Sequence, residues 1–123
     1  MGERILVVED EAGVLRVIIR ILGKNGYVVF GVANAKEAQD IFKREKGNFD
    51  LVFSDITLPD KNGIELVDEL ISLNPDIHIL ISSGYTDDKS QLQTMREKGF
   101  KFIQKPYSSS DLLKVIRKAI EKT

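Results

Sequence analysis

The stretch "LVFSDITLPDKNG" (residues 51–63) sets three strongly apolar residues and a serine directly before Asp55, then breaks into Pro59, Asn62 and Gly63. Such a run reads as a buried strand that ends on a carboxylate and is followed by a turn. A carboxylate is a poor choice for the end of a buried strand unless that end faces a site. The same pattern recurs along the chain. "ILVV" (5–8), "YVVFGV" (27–32), "IHILI" (77–81) and "FKFI" (100–103) are further short runs rich in β-branched or aromatic residues, giving five strand candidates. Several are almost continuously apolar instead of alternating, as expected of strands covered on both faces in a parallel sheet.

Helical periodicity fills the intervals. Val14, Val17, Ile18, Ile21 and Leu22 form one stripe, which "KNG" (24–26) ends, with Gly26 free to take a left-handed conformation. Asn34 with Glu37 resembles a capping box opening a second helix that Gly47 closes. A third carries Ile64, Val67, Leu70 and Ile71 on one face, with Pro75 beyond its end. Thr86 is the expected cap of a fourth, closed by Gly99, whose stripe of Leu92 and Met95 is thin. Ser108 with Asp111 caps a fifth that buries Leu112, Val115, Ile116, Ala119 and Ile120. Five strands alternating with five helices, joined by short connections, imply an α/β doubly wound parallel sheet with helices on both faces.

Composition bounds the function. The 123 residues suit a single domain that folds alone, and 42% hydrophobic with 30% charged residues describes an ordinary soluble globule. A net charge of -1 gives no basic excess for nucleic acid, and the basic residues of "KSQLQTMREKGFK" (89–101) read as a solvated face. The absence of cysteine excludes a disulfide framework and a thiolate metal site, and it suits the cytoplasm. No apolar run reaches transmembrane length, and "MGERILVVED" (1–10) enters a strand directly, so neither membrane insertion nor a targeting signal is expected.

In an open parallel sheet, ligands bind beyond the carboxyl ends of the strands. Glu9 and Asp10 follow the first strand, Asp55 the third, Ser82 the fourth, and Lys105 with Pro106 the fifth. Singly, each is an ordinary surface residue. Together they gather three carboxylates, a hydroxyl and an ammonium on one edge. The acids would repel one another without a cation among them, and Mg²⁺ suits an oxygen-only set that lacks histidine and cysteine. Asp55 is then the candidate nucleophile toward a phosphoryl group, Lys105 a mobile charge on a phosphoryl oxygen and Ser82 a hydrogen-bond donor to another. For Lys105 to turn back over the crevice, its bond to Pro106 is expected to be cis.

The pieces "ILVVEDE", "DLVFSDITLPDKNG", "ILISSGYTDD" and "FIQKPY" together resemble the receiver domain of two-component response regulators, over essentially the whole chain, residues 1–123. "SGYTDD" with "FIQKPY" looks most like the receivers of hybrid sensor histidine kinases. The resemblance implies a flavodoxin-like sheet of order 2-1-3-4-5 and a phosphoacceptor switch instead of an independent enzyme. It implies that Asp55 takes a phosphoryl group from a histidine kinase or histidine phosphotransfer domain, with a changed surface around the fourth helix, fifth strand and fifth helix shown to an output partner. By position, Glu9 and Asp10 resemble the acidic pair, Thr57 the residue whose main-chain carbonyl also binds Mg²⁺, and Ser83 the residue whose main-chain amide supports the phosphate. Ser82 resembles the switch hydroxyl, and Phe102 the aromatic that changes rotamer, its ring entering space the hydroxyl leaves. Pro59 and Gly63 would shape the loop after the acceptor.

Glu9 stands where many members have aspartate, Ser82 where threonine is also used and Phe102 where tyrosine is also used; Thr57 and Gly84 occupy positions that tune dephosphorylation. A haloacid-dehalogenase-like phosphatase, the alternative, needs a second acid two residues after the nucleophile, where Thr57 stands. A flavodoxin-like cofactor module needs a phosphate loop where "EDEAG" places three acids. His78, the only histidine, lies inside a strand and reads as structural.

Overall fold

Strand and helix alternate throughout the computed structural model, which describes residues 2–84 and 89–121. In chain order the elements are β1 (Arg4–Val8), α1 (Ala12–Lys24), β2 (Val28–Val32), α2 (Ala35–Arg44), β3 (Leu51–Asp55), α3 (Gly63–Leu73), β4 (His78–Ser83), α4 (Lys89–Glu97), β5 (Lys101–Gln104) and α5 (Ser109–Ile120). All strand pairs are parallel, in the order β2-β1-β3-β4-β5. This is the doubly wound sandwich expected from the alternation.

Side chains alternate across the sheet and feed two cores. Leu6, Val8, Val52, Ile79 and Ile81 face one layer, where they meet Phe42 of α2, Leu66, Val67 and Leu70 of α3, and Met95 of α4. Ile5, Val7, Leu51, Phe53, Leu80 and Ile103 face the other, against Ile18 and Leu22 of α1 and Leu112, Ile116 and Ala119 of α5. Each fully buried Leu, Ile or Phe contributes about 1.5–3 kcal/mol. Leu66 lies inside the third helix's buried face, and Ile71 is only half-buried. Met95 is the sole buried residue of α4, so that helix has the thin anchor its sequence implied. The cap assigned to it, Thr86, lies outside the described residues.

Helix ends follow local chemistry. The Asn34 side chain accepts the Glu37 N–H at 2.8 Å, but Glu37 reaches back to the N–H of Ala33, at 2.9 Å, one residue before the cap. At α5 the reciprocal box is complete, with Ser108 and Asp111 bonded in both directions. Gly47, at φ 69°, closes α2 by donating to the Phe42 carbonyl at 2.8 Å, a left-handed turn that glycine adopts without steric cost. Gly26 and Gly99 also have positive φ.

The strands differ from their apolar runs at the carboxyl ends. Hydrogen bonding to a neighbour depends on the backbone and not on side-chain polarity, so β3 continues through Ser54 and Asp55, and β4 through Ser82 and Ser83. Both sets of polar residues therefore sit on the sheet itself. Among the described residues no helix is long and apolar enough to cross a membrane.

Asp60, in the β3–α3 loop, accepts the N–H groups of Ala35 at 2.9 Å and Lys36 at 3.0 Å and so anchors that loop to the first turn of α2. These bonds hold its carboxyl below the usual aspartate range. A lowered folded value means that stabilisation is present above the unfolded value and lost as pH falls through the folded one. Asp60→Asn is therefore expected to lower the urea midpoint at neutral pH, with the gap to wild type closing in strong acid; parallel urea titrations by circular dichroism at the two pH values check this.

Candidate functional site

The chemically active side chains gather at the carboxyl ends of the strands. Beyond β1, the Glu9 N–H still bonds the Val32 carbonyl of β2 at 3.0 Å, so Glu9 is held as part of the sheet and is 3% exposed, whereas Asp10 beside it is open to solvent. Asp55 ends β3 in register with Ser82 of β4, and the Ile56 N–H that follows bonds the Ser82 carbonyl at 3.0 Å. Lys105 leaves β5 with its N–H on the Ser83 carbonyl at 2.8 Å, and its bond to Pro106 is cis, as expected.

Sheet order sets β1 and β4 on either side of β3, which brings these ends together. Carboxylate oxygens of Glu9, Asp10 and Asp55 lie within 4.8 Å of one another. The Lys105 ammonium sits 3.0 Å from Asp55 Oδ2 and 3.5 Å from Glu9 Oε1. Burial pushes the Glu9 carboxyl above its usual range and Asp55 adds to the rise, against the Glu11 N–H at 3.1 Å and the Lys105 charge. Burial alone would lower the pKa of Lys105, but its bonds and charge interactions with Asp55 and Glu9 outweigh that and raise it. The ammonium is therefore fixed as a cation.

Ser82 Oγ is buried without a hydrogen-bond partner, the only such side-chain atom among the described residues. Ser83 is buried on the same strand end. Thr57 is exposed and forms an isolated antiparallel bridge with Asn62, which in turn caps α3 by accepting the Ile64 N–H at 2.7 Å. Phe102 pairs with Ile81, and Ser82 with Ile103. The Phe102 ring packs with Ile81 against the α2/α3/α4 layer, on the strand next to Ser82. The rings of Tyr107 and Phe53 pack on each other on the face that Ser82 shares. Sequence reading missed Tyr107, although its position two residues after Lys105 was a usable signal. His78 starts β4, opposite Leu51, at the far end of the strands from Asp55.

Gly63 shapes the loop after Asp55 by close approach. A Cβ there would stand 2.1 Å from the Asp55 carbonyl oxygen and 2.9 Å from Ile56 Cα, and the Gly63 N–H bonds the Ile56 carbonyl at 2.6 Å. The start of α3 is thus pressed against the peptide that carries the acid. Ser54 adds a bond from its hydroxyl to the Asp55 carbonyl at 2.9 Å.

Comparison with known proteins agrees with this arrangement. The model of the response regulator receiver domain family matches residues 5–117. Chemotaxis protein CheY of Thermotoga maritima is 32% identical over 119 residues, covering 96% of this chain and 98% of that protein. Sensor kinase CckA of Brucella abortus is 34% identical over 118 residues, covering 96% of this chain but only 12% of the kinase. A CheY-like receiver domain structure from Methanospirillum hungatei superposes with a TM-score of 0.87 at 31% identity, covering 98% of this chain and 94% of that one. A five-stranded sheet with acids and a lysine gathered at its carboxyl edge is the architecture of a two-component phosphoacceptor. The chain belongs to the response regulator receiver domain family.

Two variants test the physics of the site. Because burial disfavours ionised Glu9 even with Lys105 beside it, Glu9→Gln is expected to unfold at a higher temperature than wild type in EDTA, measured by differential scanning calorimetry. Gly63→Ala forces a methyl group into backbone atoms and should destabilise the fold by about 1–3 kcal/mol in urea titrations.

Proposed function

We propose that residues 1–123 act as one receiver unit in which Asp55 accepts a phosphoryl group from a phosphohistidine of a histidine kinase or histidine phosphotransfer domain. The observation that carries this reading is the placement of Asp55 on one strand end, between two further acids and a lysine 3.0 Å away, in register with an unpartnered buried hydroxyl. In the transfer, an Asp55 carboxylate oxygen bonds to phosphorus as the P–N bond breaks. The imidazole departs with the electron pair. The product is an acyl phosphate.

The donor set fits Mg²⁺: three carboxylates converge, and among the described residues no histidine or cysteine joins them. Glu9, Asp10, Asp55 and the main-chain carbonyl of Thr57 would hold the ion. When bound, it supplies positive charge to the phosphoryl oxygens and offsets the repulsion among the acids. Lys105 moves its ammonium from the Asp55 carboxylate to a phosphoryl oxygen, a short displacement for a flexible stem. Ser82 donates its hydroxyl proton to a second oxygen, and the main-chain amide of Ser83 supports the phosphate.

The change reaches Phe102 on the neighbouring strand β5, its ring entering space that the Ser82 hydroxyl leaves as it turns to the phosphate. The surface of α4, β5 and α5 then presents itself to an output partner. These residues assist phosphorylation and dephosphorylation of their own chain in the cytoplasm and turn over no separate substrate.

Incubation with acetyl phosphate and Mg²⁺ is expected to add the mass of one phosphoryl group to wild type and none to Asp55→Asn. A gain at the wild-type rate in that variant sinks the assignment. Asp10→Ala is expected to lose both the Mg²⁺ titration response and the mass gain; an unchanged Mg²⁺ titration counts against the metal site.

A further inference from the structure

The Ser82 hydroxyl has one proton to donate and two lone pairs to fill, and in this structure it does neither. A buried hydroxyl left in that condition destabilises the fold. A phosphoryl oxygen satisfies the donor half only. The hydroxyl's lone pairs then still lack a donor, which leaves room for a second group on the same face of the sheet to bond to it.

Strand alternation sets Ser82 on the face shared with Leu80 and Ile103. Phe53 is on that face too, two residues before Asp55 on β3, and the Tyr107 ring packs on Phe53 with centroids 6.3 Å apart and planes tilted by 57°. Tyr107 is half-buried. Among the described residues, the neighbouring cation Lys105 is committed to Asp55 and Glu9. We propose that Tyr107 is a positioning residue of the phosphoryl site: its phenol donates to Ser82 Oγ, which directs the Ser82 proton onto the phosphoryl oxygen carried by Asp55.

The electrostatics of the phenol are consistent with this. Burial raises the Tyr107 pKa above the usual phenol range; the Lys105 charge opposes that rise, Glu9 and Asp55 reinforce it, and the nearness of the Ser82 hydroxyl opposes it slightly. The phenol therefore retains its proton at neutral pH and stays a donor, and it lies near enough to Ser82 to feel that hydroxyl. The bond itself is not formed in the resting structure, where Ser82 Oγ stands alone. Rotation of Ser82 toward phosphate completes a chain from Tyr107 O–H to Ser82 Oγ–H to phosphoryl oxygen, in which each bond polarises the next.

The inference rests on Asp55 carrying the phosphoryl group, and the test separates the two. Wild type, Tyr107→Phe, Ser82→Ala and the double variant are saturated with acetyl phosphate and Mg²⁺. Intact mass gives occupancy, and amide shifts of Ser83 and Gln104 give the balance between resting and activated arrangements. Tyr107→Phe keeps the ring and its packing, so it is expected to take up phosphate fully. Its balance should fall back toward the resting arrangement by roughly 2- to 12-fold, the equivalent of one hydrogen bond. In Ser82→Ala the same substitution should change nothing further, because the two hydroxyls act as one unit. A phosphorylated Tyr107→Phe with wild-type shifts overturns the proposal and leaves Asp55 as acceptor. An equal decrement with and without the Ser82 hydroxyl also overturns it, since that is the mark of a structural role. If wild type gains no mass, the Asp55 reading fails and this one with it.

Discussion

A lysine ammonium 3.0 Å from one carboxylate and 3.5 Å from a second makes this strand edge tenable. Like charges about 4 Å apart repel by roughly 4 kcal/mol at the effective dielectric of a protein surface, and three acids whose oxygens lie within 4.8 Å make three such pairs. One ammonium can face two acids but not three. Lys105 faces the two that the sheet holds least exposed, Glu9 and Asp55, and the third, Asp10, is the one left to water. The edge keeps a residual negative charge, which is a standing demand for a cation.

Placing chemically active side chains to within hydrogen-bonding tolerance requires rigid supports, and the sheet supplies them. Backbone bonds tie Glu9 to Val32, Ile56 to Ser82 and Lys105 to Ser83, so Glu9, Lys105 and the peptide after Asp55 are held by neighbouring strands. Behind them, apolar side chains on both faces of the sheet pack under the helices and fix the strands. Gly63 adds the last constraint. By letting α3 begin against the Asp55 carbonyl, it holds the acid's own peptide from behind. Rigid backing of this kind allows a small displacement of Lys105 or Ser82 to be felt by the strand next door.

Much of this was legible in the sequence because it depends on local pattern. Continuous apolar runs announced strands covered on both faces, Asn34 and Ser108 announced helix starts, and the sheet rule for ligand sites pointed to Glu9, Asp10, Asp55, Ser82 and Lys105. What escaped depends on distance in space. The strand ends ran through Ser54, Asp55, Ser82 and Ser83 because backbone pairing ignores side-chain polarity. Gly63 read as a turn former, but its necessity comes from a neighbouring backbone. The side of the sheet on which Phe102 lies needs the β4–β5 register, and the packing of Tyr107 on Phe53 needs the folded chain.

The resting edge thus carries two unmet demands, an acid without a counter-charge and a hydroxyl without a partner. On the proposed reading both are met by one event, since a phosphoryl group on Asp55 offers oxygens to Ser82 and Lys105 while its cation answers the acids. A ligand shifts a conformational balance only by the difference in its interactions with the two states. The Ser82 hydroxyl alone supplies a difference of about 1–3 kcal/mol if it is unsatisfied in one state and bonded in the other. That is the size of a typical coupling energy between sites, a five- to 150-fold change in population. A hydroxyl fully bonded at rest would give up one partner to gain another and shift almost nothing, so the isolation of Ser82 is what makes it able to drive a switch.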